Sequence, residues 1–465
     1  MLILFPDDLN VVDSSNITYQ QALIAPSEPI LSPELEWEFP RTNLYGSVFK
    51  AGHTYEMYYQ CANALRVGYA ISDDGLSWHK PMTNPADLSA DFNELVKPEI
   101  ALEKIDFLNP GNTLQATNLV ASCHMPSIIY EPASDKPYKL FSFGEEGYQV
   151  SFSENGKQFK HYEKHPAIEL LSYKNDHTDK TWCSDVAPCF KDGQGYTAMV
   201  KTYHIDEENR TRRCIGYSTS QNFTDWTEVE TVWVPGEDED KIAQSRGYKW
   251  ADFYGLCPFP YGEGYLGFLW LFEIEEELPR GTNLGKIEVF LAYSADGKKW
   301  RRIDDKPLIP WDLNFGANGG MVTTPSAPIF DDEDIKLYYS DSNFEHGFTE
   351  KDFQKKIESP TWVIRCAQIP KERLVGAYSD LGVVRFKPHN LKAKNIRLNF
   401  DCLSGEIRID LKRSGKIVES ITIKNANHFD YLLSHEGDVL NNEEKADSSI
   451  EVHLSKATLY ALEIF

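Results

Sequence analysis

Four stretches of the chain repeat one pattern: GYAISDDGLSWHK at 68–80, GYQVSFSENGKQFKH at 147–161, GYSTSQNFTDWTE at 216–228 and LAYSADGKKWRR at 291–302. Each stretch has an aromatic residue, a serine, a polar turn and then a tryptophan or phenylalanine. The key serines, Ser72, Ser153, Ser218 and Ser294, are separated by 81, 65 and 76 residues. A repeat at this spacing is typical of a fold built from copies of one unit.

The repeated pattern predicts a hairpin. One strand ends at the serine, and an Asp-Gly or Asn-Gly pair forms the tight turn. The tryptophan or phenylalanine on the next strand then packs between neighbouring sheets. Two apolar alternating segments precede each copy, as YGSVFKAG at 45–52 and TYEMYYQ at 54–60 do before the first. Each unit therefore has the composition of a four-stranded blade.

A fifth unit follows, without the serine-turn-tryptophan pattern, in the segments SAPIFDDED at 326–334, IKLYYSDS at 335–342 and WVIRCAQIP at 362–370. Five such units predict an all-β chain that contains a five-bladed β-propeller, over residues 32–380. Residues 381–465 have fewer aromatics and alternating strand patterns, which predict a small C-terminal β-sandwich. Residues 1–31 are expected to be an N-terminal extension that packs on the propeller.

Composition excludes several classes of partner. The chain has 465 residues and a formal net charge of −24, from 71 acidic and 47 basic residues. A surface of this sign repels phosphate groups, so we expect neither a nucleic acid nor an anionic membrane as partner. No stretch approaches the roughly 18 apolar residues of a membrane helix, and the start, MLILFPDDLN, lacks the apolar stretch of a signal peptide. We therefore expect a cytoplasmic protein, and the sequence leaves its oligomeric state open.

Eight cysteines are scattered along the chain without a CxxC pair. This distribution argues against a zinc site and against a disulfide framework, so buried free thiols are expected. Two acidic runs, PGEDED at 235–240 and EIEEE at 273–277, are interpreted as solvated loops. They could bind a structural calcium ion, although they lack the spacing of an EF-hand. No cofactor is expected to be required, and a metal site stays unknown.

The first strand of every blade lines the central channel of a propeller, so residues at the starts of these strands converge on one axial pocket. Candidate side chains therefore come from distant parts of the sequence. They are Glu38, Arg41 and Tyr45 in the first unit, His124 in the second, Trp182 and Asp185 in the third, Asp252, Tyr254 and Glu273 in the fourth, and His346 in the fifth.

Asp185 and Asp252 are the expected catalytic pair, because each lies at the start of a strand with an aromatic residue close by. Glycoside hydrolysis needs two carboxyl groups across the scissile bond, one protonated and one ionised. Glu38 or Glu273 could be the acid, or could keep the acid protonated by repulsion between neighbouring carboxylates. The alternative for all four is structural, since an aspartate before a strand often caps a turn.

Six side chains are expected to bind the sugar: Arg41, Tyr45, His124, Trp182, Tyr254 and His346. Aromatic rings stack on sugar faces, and histidines can bond sugar hydroxyls. Structural alternatives stay open here as well. Trp182 could pack between blades, His124 could be tied to a neighbouring blade, and His346 could be a solvated loop residue.

The chain also resembles a known family. The segments WEFPRTNLYGSVF at 37–49, HMPSIIYEPASDKPYKLFSF at 124–143 and DFYGLCPFPYGEGYLGFLW at 252–270 look like those of the five-bladed propeller glycosidases, which include arabinosidases and invertases. The tail is similar to the β-sandwich that ends many of these relatives. The resemblance implies a carboxylate from the first blade, an aspartate from a middle blade and a glutamate acid. Asp185 matches the middle-blade position, and Asp252 matches the next blade in the same way.

The sequence departs from invertases in its first blade. It has no WMNDPNG-like segment, and Asn43 and Leu44 stand where an aspartate is usual. The identity of the base or nucleophile therefore stays open, and so does the choice between inversion and retention.

Together these observations predict a glycoside hydrolase that cleaves an oligo- or polysaccharide through paired carboxylates in the axial pocket. Asp185→Asn and Asp252→Asn are each expected to abolish turnover and to leave the Tm nearly unchanged. One alternative is a non-catalytic carbohydrate-binding propeller protein, which needs no acid–base pair. Another is a glycoside phosphorylase, which needs a cationic phosphate pocket; Arg41 and Arg246 are the nearby candidates. The sugar, the linkage and exo or endo action stay open.

Overall fold

The structure is a computed structural model that describes residues 1–38, 41–61, 66–82, 117–144, 146–162, 166–169, 183–278, 283–347, 362–387, 395–433 and 448–465. Within these ranges strands dominate, and the α-helical part is α1 (Glu237–Ser245). The prediction of an all-β chain is confirmed. Among the described residues, no helix combines the length and the apolar character that a membrane crossing requires.

Three antiparallel sheets follow the first three strands in chain order. The three N-terminal strands are β1 (Leu2–Leu4), β2 (Val11–Ser15) and β3 (Thr18–Gln21), and they pair with strands near the end of the chain. The first sheet contains β4 (Asn43–Ala51), β5 (Thr54–Cys61), β6 (Arg66–Ser72) and β7 (Leu119–Ala121). The second contains β8 (His124–Tyr130), β9 (Tyr138–Gly144), β10 (Gly147–Ser153), β11 (Lys160–His161) and β12 (Ile168–Glu169). The third contains β13 (Cys189–Asp192), β14 (Gly195–Ile205), β15 (Thr211–Ser220) and β16 (Glu230–Trp233).

A fourth, larger sheet consists of two antiparallel groups. The first group is β17 (Trp250–Tyr261), β18 (Gly264–Glu277), β19 (Asn283–Ser294) and β20 (Arg301–Arg302). The second group is β21 (Met321–Thr323), β22 (Ile329–Phe330), β23 (Asp334–Ser342) and β24 (Trp362–Pro370). A parallel pairing of Ile287 with Met321 joins the two groups.

The first strands of these groups pack beside one another. β4 packs beside β8, β8 beside β13, and β13 beside β17, while β21 and β22 pack beside β4. Hydroxyl groups connect three of these segments, because Ser326 Oγ lies 3.3 Å from Ser47 Oγ and 3.0 Å from Ser127 Oγ. Ser47 in the middle of β4, Ser127 in the middle of β8 and Ser326 before β22 are therefore close together although they are far apart in sequence.

The turn pattern of the repeats is present in the structure. In the first repeat, Ser72 Oγ accepts a hydrogen bond from the Gly75 N–H at 2.9 Å, and the Trp78 indole donates to the Gly75 carbonyl at 3.1 Å. Asp74 accepts bonds from two following backbone N–H groups. These bonds explain why a serine, an acidic or amide residue and an aromatic recur at fixed spacing.

The third repeat differs from the expectation at its serine. Ser220, not Ser218, occupies the turn, since its hydroxyl accepts from the Asn222 N–H at 3.3 Å. Phe223 takes the glycine position with a φ of +70°, and its carbonyl accepts from the Trp226 indole at 2.9 Å. Ser218 lies within β15 and donates to the Thr227 carbonyl at 2.7 Å. The absence of a glycine therefore concealed the true register of this repeat.

The last part of the chain adds β25 (Val375–Ser379), β26 (Gly382–Phe386), β27 (Ile396–Asp401), β28 (Glu406–Arg413), β29 (Lys416–Lys424), β30 (Asn427–Leu433), β31 (Ser448–Ser455) and β32 (Ala457–Ile464). One sheet has the order β3-β25-β32-β27-β30, with β1 also paired to β32. The other has the order β2-β26-β31-β28-β29. Side chains of both sheets, among them Leu398, Val452 and Leu459, contribute to one hydrophobic cluster.

The strand pairing differs from the boundaries expected at residues 31 and 380. β1, β2 and β3 pair with strands of the two terminal sheets. Ile3 and Phe5 are buried in the hydrophobic cluster that these two sheets share. β25 was expected in the propeller and instead pairs with β3 and β32. The end of the N-terminal segment lies beside the fourth sheet, where Leu31 pairs with Ile364 of β24.

The two acidic runs are not loops. Residues 237–240 form the first turn of α1, where four carboxylates lie near the positive end of the helix dipole. Residues 273–277 end β18, and Glu273 and Ile274 are buried there. The eight cysteines are free thiols, of which seven are buried.

Candidate functional site

Asp185 has an unusual backbone conformation just before β13. Its φ is +74°, in the left-handed region that non-glycine residues rarely adopt. Backbone bonds to β14 fix both neighbours of Asp185. The Ser184 N–H donates to the Lys201 carbonyl at 3.1 Å, and the Lys201 N–H donates to the Val186 carbonyl at 2.8 Å. β14 therefore determines where the Asp185 side chain points.

Two basic side chains hold the Asp185 carboxylate. Lys201 Nζ lies 2.5 Å from Oδ2, and His124 Nε2 lies 2.7 Å from Oδ1. Burial alone would raise the pKa of Asp185, but the attraction of Lys201 and His124 outweighs it and holds that pKa well below its usual range. The Asp185 side chain is still 21% exposed. It is therefore an ionised carboxylate that reaches solvent.

Tyr45 and Tyr254 lie beside this carboxylate and share a side-chain hydrogen bond. Lys201 Nζ lies 4.9 Å from the centroid of the Tyr254 ring, and the Tyr45 ring packs against Trp270 at 5.7 Å. Burial raises the pKa of Tyr45 to about 12 and raises that of Tyr254 well above its usual value. Both phenols are therefore neutral, and their rings and hydroxyls have the chemistry of a sugar-binding surface.

His346 joins the same group from the loop after β23. Its Nδ1 lies 2.8 Å from the Asn283 carbonyl oxygen, so Nδ1 carries the proton and Nε2 is an acceptor. The ring packs 4.6 Å from Phe272 and 5.2 Å from Tyr254. Burial, together with the charge of Arg213, lowers the pKa of His346 to about 3, so the imidazole is neutral.

Asp252 is fully buried and is held by two arginines. Arg212 Nε lies 3.0 Å from Oδ1, and Arg213 Nη1 lies 3.0 Å from Oδ2. Burial raises the pKa of Asp252 against the attraction of Arg213 and Arg212. The Arg213 guanidinium also lies 5.1 Å from the centroid of the Phe272 ring, which contacts His346. Arg213 therefore links Asp252 to the side chains around Asp185.

Arg41 lies near Tyr45 and Tyr254. Burial lowers the pKa of its guanidinium, and the two phenols oppose that shift. The guanidinium also lies 4.6 Å from the centroid of the Trp362 ring. We call this set the Asp185 cluster; its members are Arg41, Tyr45, His124, Asp185, Lys201, Arg213, Asp252, Tyr254 and His346. Of the ten predicted site residues, the structure thus brings seven together. Trp182 lies outside the described residues.

Glu38 is better explained by a structural role than by the catalytic role expected for it. Its carboxylate is fully buried and accepts four hydrogen bonds, as many as a carboxylate has acceptor positions. The donors are the Tyr59 hydroxyl, Lys80 Nζ at 2.8 Å, and the backbone N–H groups of Glu34 at 2.9 Å and Leu35 at 3.0 Å. These bonds attach the N-terminal segment to the first sheet.

Glu273 does not join the Asp185 cluster, contrary to the expectation. Successive side chains of a strand point to opposite faces. Phe272 points toward Tyr254 and His346, so Glu273 points to the other face of β18. There it contacts Arg246 Nη1 at 3.1 Å and accepts a bond from the Trp311 indole at 3.1 Å.

Sequence reasoning missed Lys201 and Arg213. Lys201 lies in β14 and Arg213 lies in β15, and neither residue is among the candidates named from the sequence. A charged residue within an apolar strand is a usable signal, since lysine and arginine are rarely buried unless they are paired. Here the side chains of Lys201 and Arg213 are 5% and 11% exposed.

Among the described residues, Asp410, Glu451 and His453 have ligand atoms close enough to hold a cation, all within 4.8 Å of one another. Arg408 contacts Asp410 at 3.2 Å, and Lys412 contacts Glu451 at 2.6 Å. These basic side chains already neutralise the carboxylates. The arrangement is that of an ion-pair network across the sheet, and it disfavours a calcium ion.

No protein-family model and no curated protein matches the chain. Among solved structures, it is similar to an alpha-L-arabinofuranosidase from Podospora anserina in complex with cellotriose, with 8% identity, a TM-score of 0.43, and coverage of 75% of this chain and 97% of that one. It is also similar to a Bombyx mori GH32 beta-fructofuranosidase, with 13% identity, a TM-score of 0.40 and coverage of 94% of both chains. An exo-beta-1,3-galactanase from Phanerochaete chrysosporium with galactose gives 10% identity, a TM-score of 0.37, and coverage of 94% of this chain and 100% of that one. All three are structures of glycoside hydrolases.

Proposed function

We propose that the chain is a glycoside hydrolase whose reaction centre is the Asp185 cluster. One observation carries the proposal. Asp185 and Asp252 lie in one cluster, and their surroundings shift their pKa values in opposite directions. A pair of carboxyl groups with separated pKa values is what acid–base cleavage of a glycosidic bond requires. The proposed reaction needs no cofactor.

In this proposal Asp185 is the ionised carboxylate, acting as base or nucleophile, and Asp252 is the acid. Lys201 is a positioning residue that keeps Asp185 ionised, and His124 is the partner that a sugar hydroxyl would replace, since its side chain is 30% exposed. Tyr45, Tyr254 and neutral His346 would contact the sugar. Asp252 is fully buried and paired with Arg212 and Arg213, so the mechanism requires Arg213 to move away when substrate binds and Asp252 then to take up the proton that it donates to the leaving oxygen.

We propose further that the first four sheets in chain order form five blades and that the two terminal sheets form a β-sandwich. The arrangement of first strands around Ser47, Ser127 and Ser326 supports the first part, and so does the parallel junction within the largest sheet. The hydrophobic cluster shared by the terminal sheets supports the second part. This architecture would place the Asp185 cluster at one end of the central channel.

Asp185→Asn tests the proposed reaction. The substitution keeps the shape of the side chain but removes the charge, so hydrolysis of a panel of 4-nitrophenyl glycosides and oligosaccharides should fall by at least about a hundredfold. Asp332→Asn, at an exposed aspartate on another turn, is the matched control and should retain activity. Unchanged hydrolysis by the Asp185→Asn protein would remove Asp185 from the mechanism.

A non-catalytic carbohydrate-binding protein is the second candidate. The observation that favours it is that Glu38, Asp252 and Glu273 are fully buried, and both oxygens of Asp185 already have partners. Titration calorimetry against the same oligosaccharides, with product analysis of each mixture, separates the two functions. Binding without any product after long incubation would favour the second.

The contacts of Arg246 give no support to a glycoside phosphorylase. That reaction needs a cation available to phosphate, whereas Arg246 is already bonded to Glu273 and Glu288. Arg41, the other candidate, stacks on Trp362.

A further inference from the structure

Glu273 and Glu288 form a pair of carboxyl groups that the proposed reaction does not use. They lie on the adjacent strands β18 and β19, and neither is exposed to solvent. Both contact the same nitrogen, Nη1 of Arg246, which lies 3.1 Å from Glu273 Oε1 and is also bonded to Glu288 Oε1. Two buried carboxyls thus share one guanidinium nitrogen.

Several other charged or titratable groups surround the pair; they are Lys286, Asp312, Glu345, Glu275 and Tyr248. Lys286 is the second cation. Its Nζ lies 3.7 Å from the centroid of the Trp311 ring and 3.7 Å from Glu345 Oε1, so Glu345 compensates part of its charge. The pair is therefore mainly dependent on Arg246 for neutralisation.

One shared proton balances this arrangement. With one carboxyl protonated, a single negative charge faces Arg246, and the buried group is neutral. With both carboxyls ionised, two negative charges remain in a dry environment, which is unfavourable. Burial raises the pKa of Glu273, and burial together with repulsion from Glu273 raises the pKa of Glu288. The folded protein therefore favours the form in which Glu273 and Glu288 share one proton.

The pair also connects three parts of the structure. Arg246 is the C-cap residue of α1, and Trp311, which donates to Glu273, lies on the connection between β20 and β21. A groove of about 780 Å³ separates α1 from this connection, and Arg246 and Asp312 are among the residues that line it. Contacts to the two glutamates thus attach both walls of the groove to β18 and β19.

We propose that Glu273, Glu288 and Arg246 form a proton-dependent latch, which holds α1 and the connection between β20 and β21 against the sheet while the two carboxyls share a proton. Loss of that proton leaves two like charges beside each other and weakens the attachment. The groove is then the place where the two walls separate. This inference is independent of the proposed sugar chemistry.

The test compares the full-length wild-type protein with Glu288→Gln, by thermal unfolding and by limited proteolysis within 237–246, from about pH 5 to about pH 9. The sign follows from the raised pKa values. The stabilisation is complete at low pH and is lost as pH rises through the folded-state pKa values. We expect the wild-type Tm to fall by at least about 3 °C over this range, with faster cleavage in α1. The Glu288→Gln protein, whose amide cannot ionise, should show neither change.

Glu277→Gln is the matched control, because Glu277 is an exposed glutamate on the same strand, is not among the groups that surround the pair, and should keep the wild-type pH dependence. Glu273→Gln provides a second variant if Glu288→Gln does not fold. If the Tm of the wild-type protein and its rate of cleavage in α1 stay constant over this pH range, the latch proposal is wrong, whatever the variants show. A glutamine variant of either residue that keeps the wild-type slope would overturn it equally.

Discussion

Asp252→Asn should destabilise the protein. The substitution removes the charge that two buried arginines share and keeps one oxygen that can still accept a bond. Breaking a buried pair by loss of one partner typically costs about 3–5 kcal/mol. Arg212 keeps Asp240 at 2.7 Å and the Ala251 carbonyl at 2.6 Å, so Arg213 bears most of the loss. We therefore expect the lower end, about 3 kcal/mol.

For a chain of this size, 1 kcal/mol corresponds to about 1 °C in Tm, so the Asp252→Asn protein should unfold about 3 °C below wild type. Scanning calorimetry measures this directly. Asp238→Asn is the control, since that aspartate is 81% exposed and its variant should stay within about 1 °C. The sequence-based expectation of an unchanged Tm is thus replaced by a fall. A difference below about 1 °C for Asp252→Asn would refute the buried ion-pair interpretation.

Two further predictions concern residues outside the Asp185 cluster. Glu38→Gln should lower the urea midpoint, with a loss of about 2 kcal/mol, because the amide turns one acceptor atom into a donor that faces donors; an unchanged midpoint would contradict the structural role of Glu38. Burial would raise the pKa of Asp331, but bonds from Lys336, Tyr55 and Lys50 lower it to about 2. Its stabilisation should therefore be present above about pH 4 and lost as pH falls through the folded-state value, and Asp331→Asn should flatten this part of an acid-unfolding curve followed by circular dichroism. An identical curve for the variant would show that Asp331 contributes nothing.

The repeated hairpin was predictable because its chemistry is local. A serine, an aspartate or asparagine and an aromatic within seven residues form all the bonds of the turn, as Ser72, Asp74 and Trp78 show. The third repeat was placed at the wrong serine because Phe223 adopts the conformation that glycine has in the others. Tertiary packing stabilises that conformation, and the sequence gives no sign of it.

The site was only partly predictable for a related reason. Asp185 and Asp252 could be found because they lie at strand starts, where a repeat fold brings distant residues together. Lys201 and Arg213 set the charge state of these aspartates and lie inside strands, where a lone charge indicates a paired side chain. Which carboxylate each one contacts is known only from the packing of β14 and β15 against their neighbours. Glu273 was misplaced because its contacts depend on which face of β18 it occupies. Strand direction and face, unlike residue type, are decided by packing across the whole molecule.

The pairing of Leu31 with Ile364 has a consequence for how the protein is made. A ribosome synthesises residue 31 long before residue 364, and the β24 segment that Leu31 joins is absent throughout that interval. The backbone at residue 31 therefore stays without this partner until more than three quarters of the chain has emerged. This contact joins residues far apart in the sequence, and such contacts slow folding. We therefore expect the pairing of Leu31 with β24 to form late.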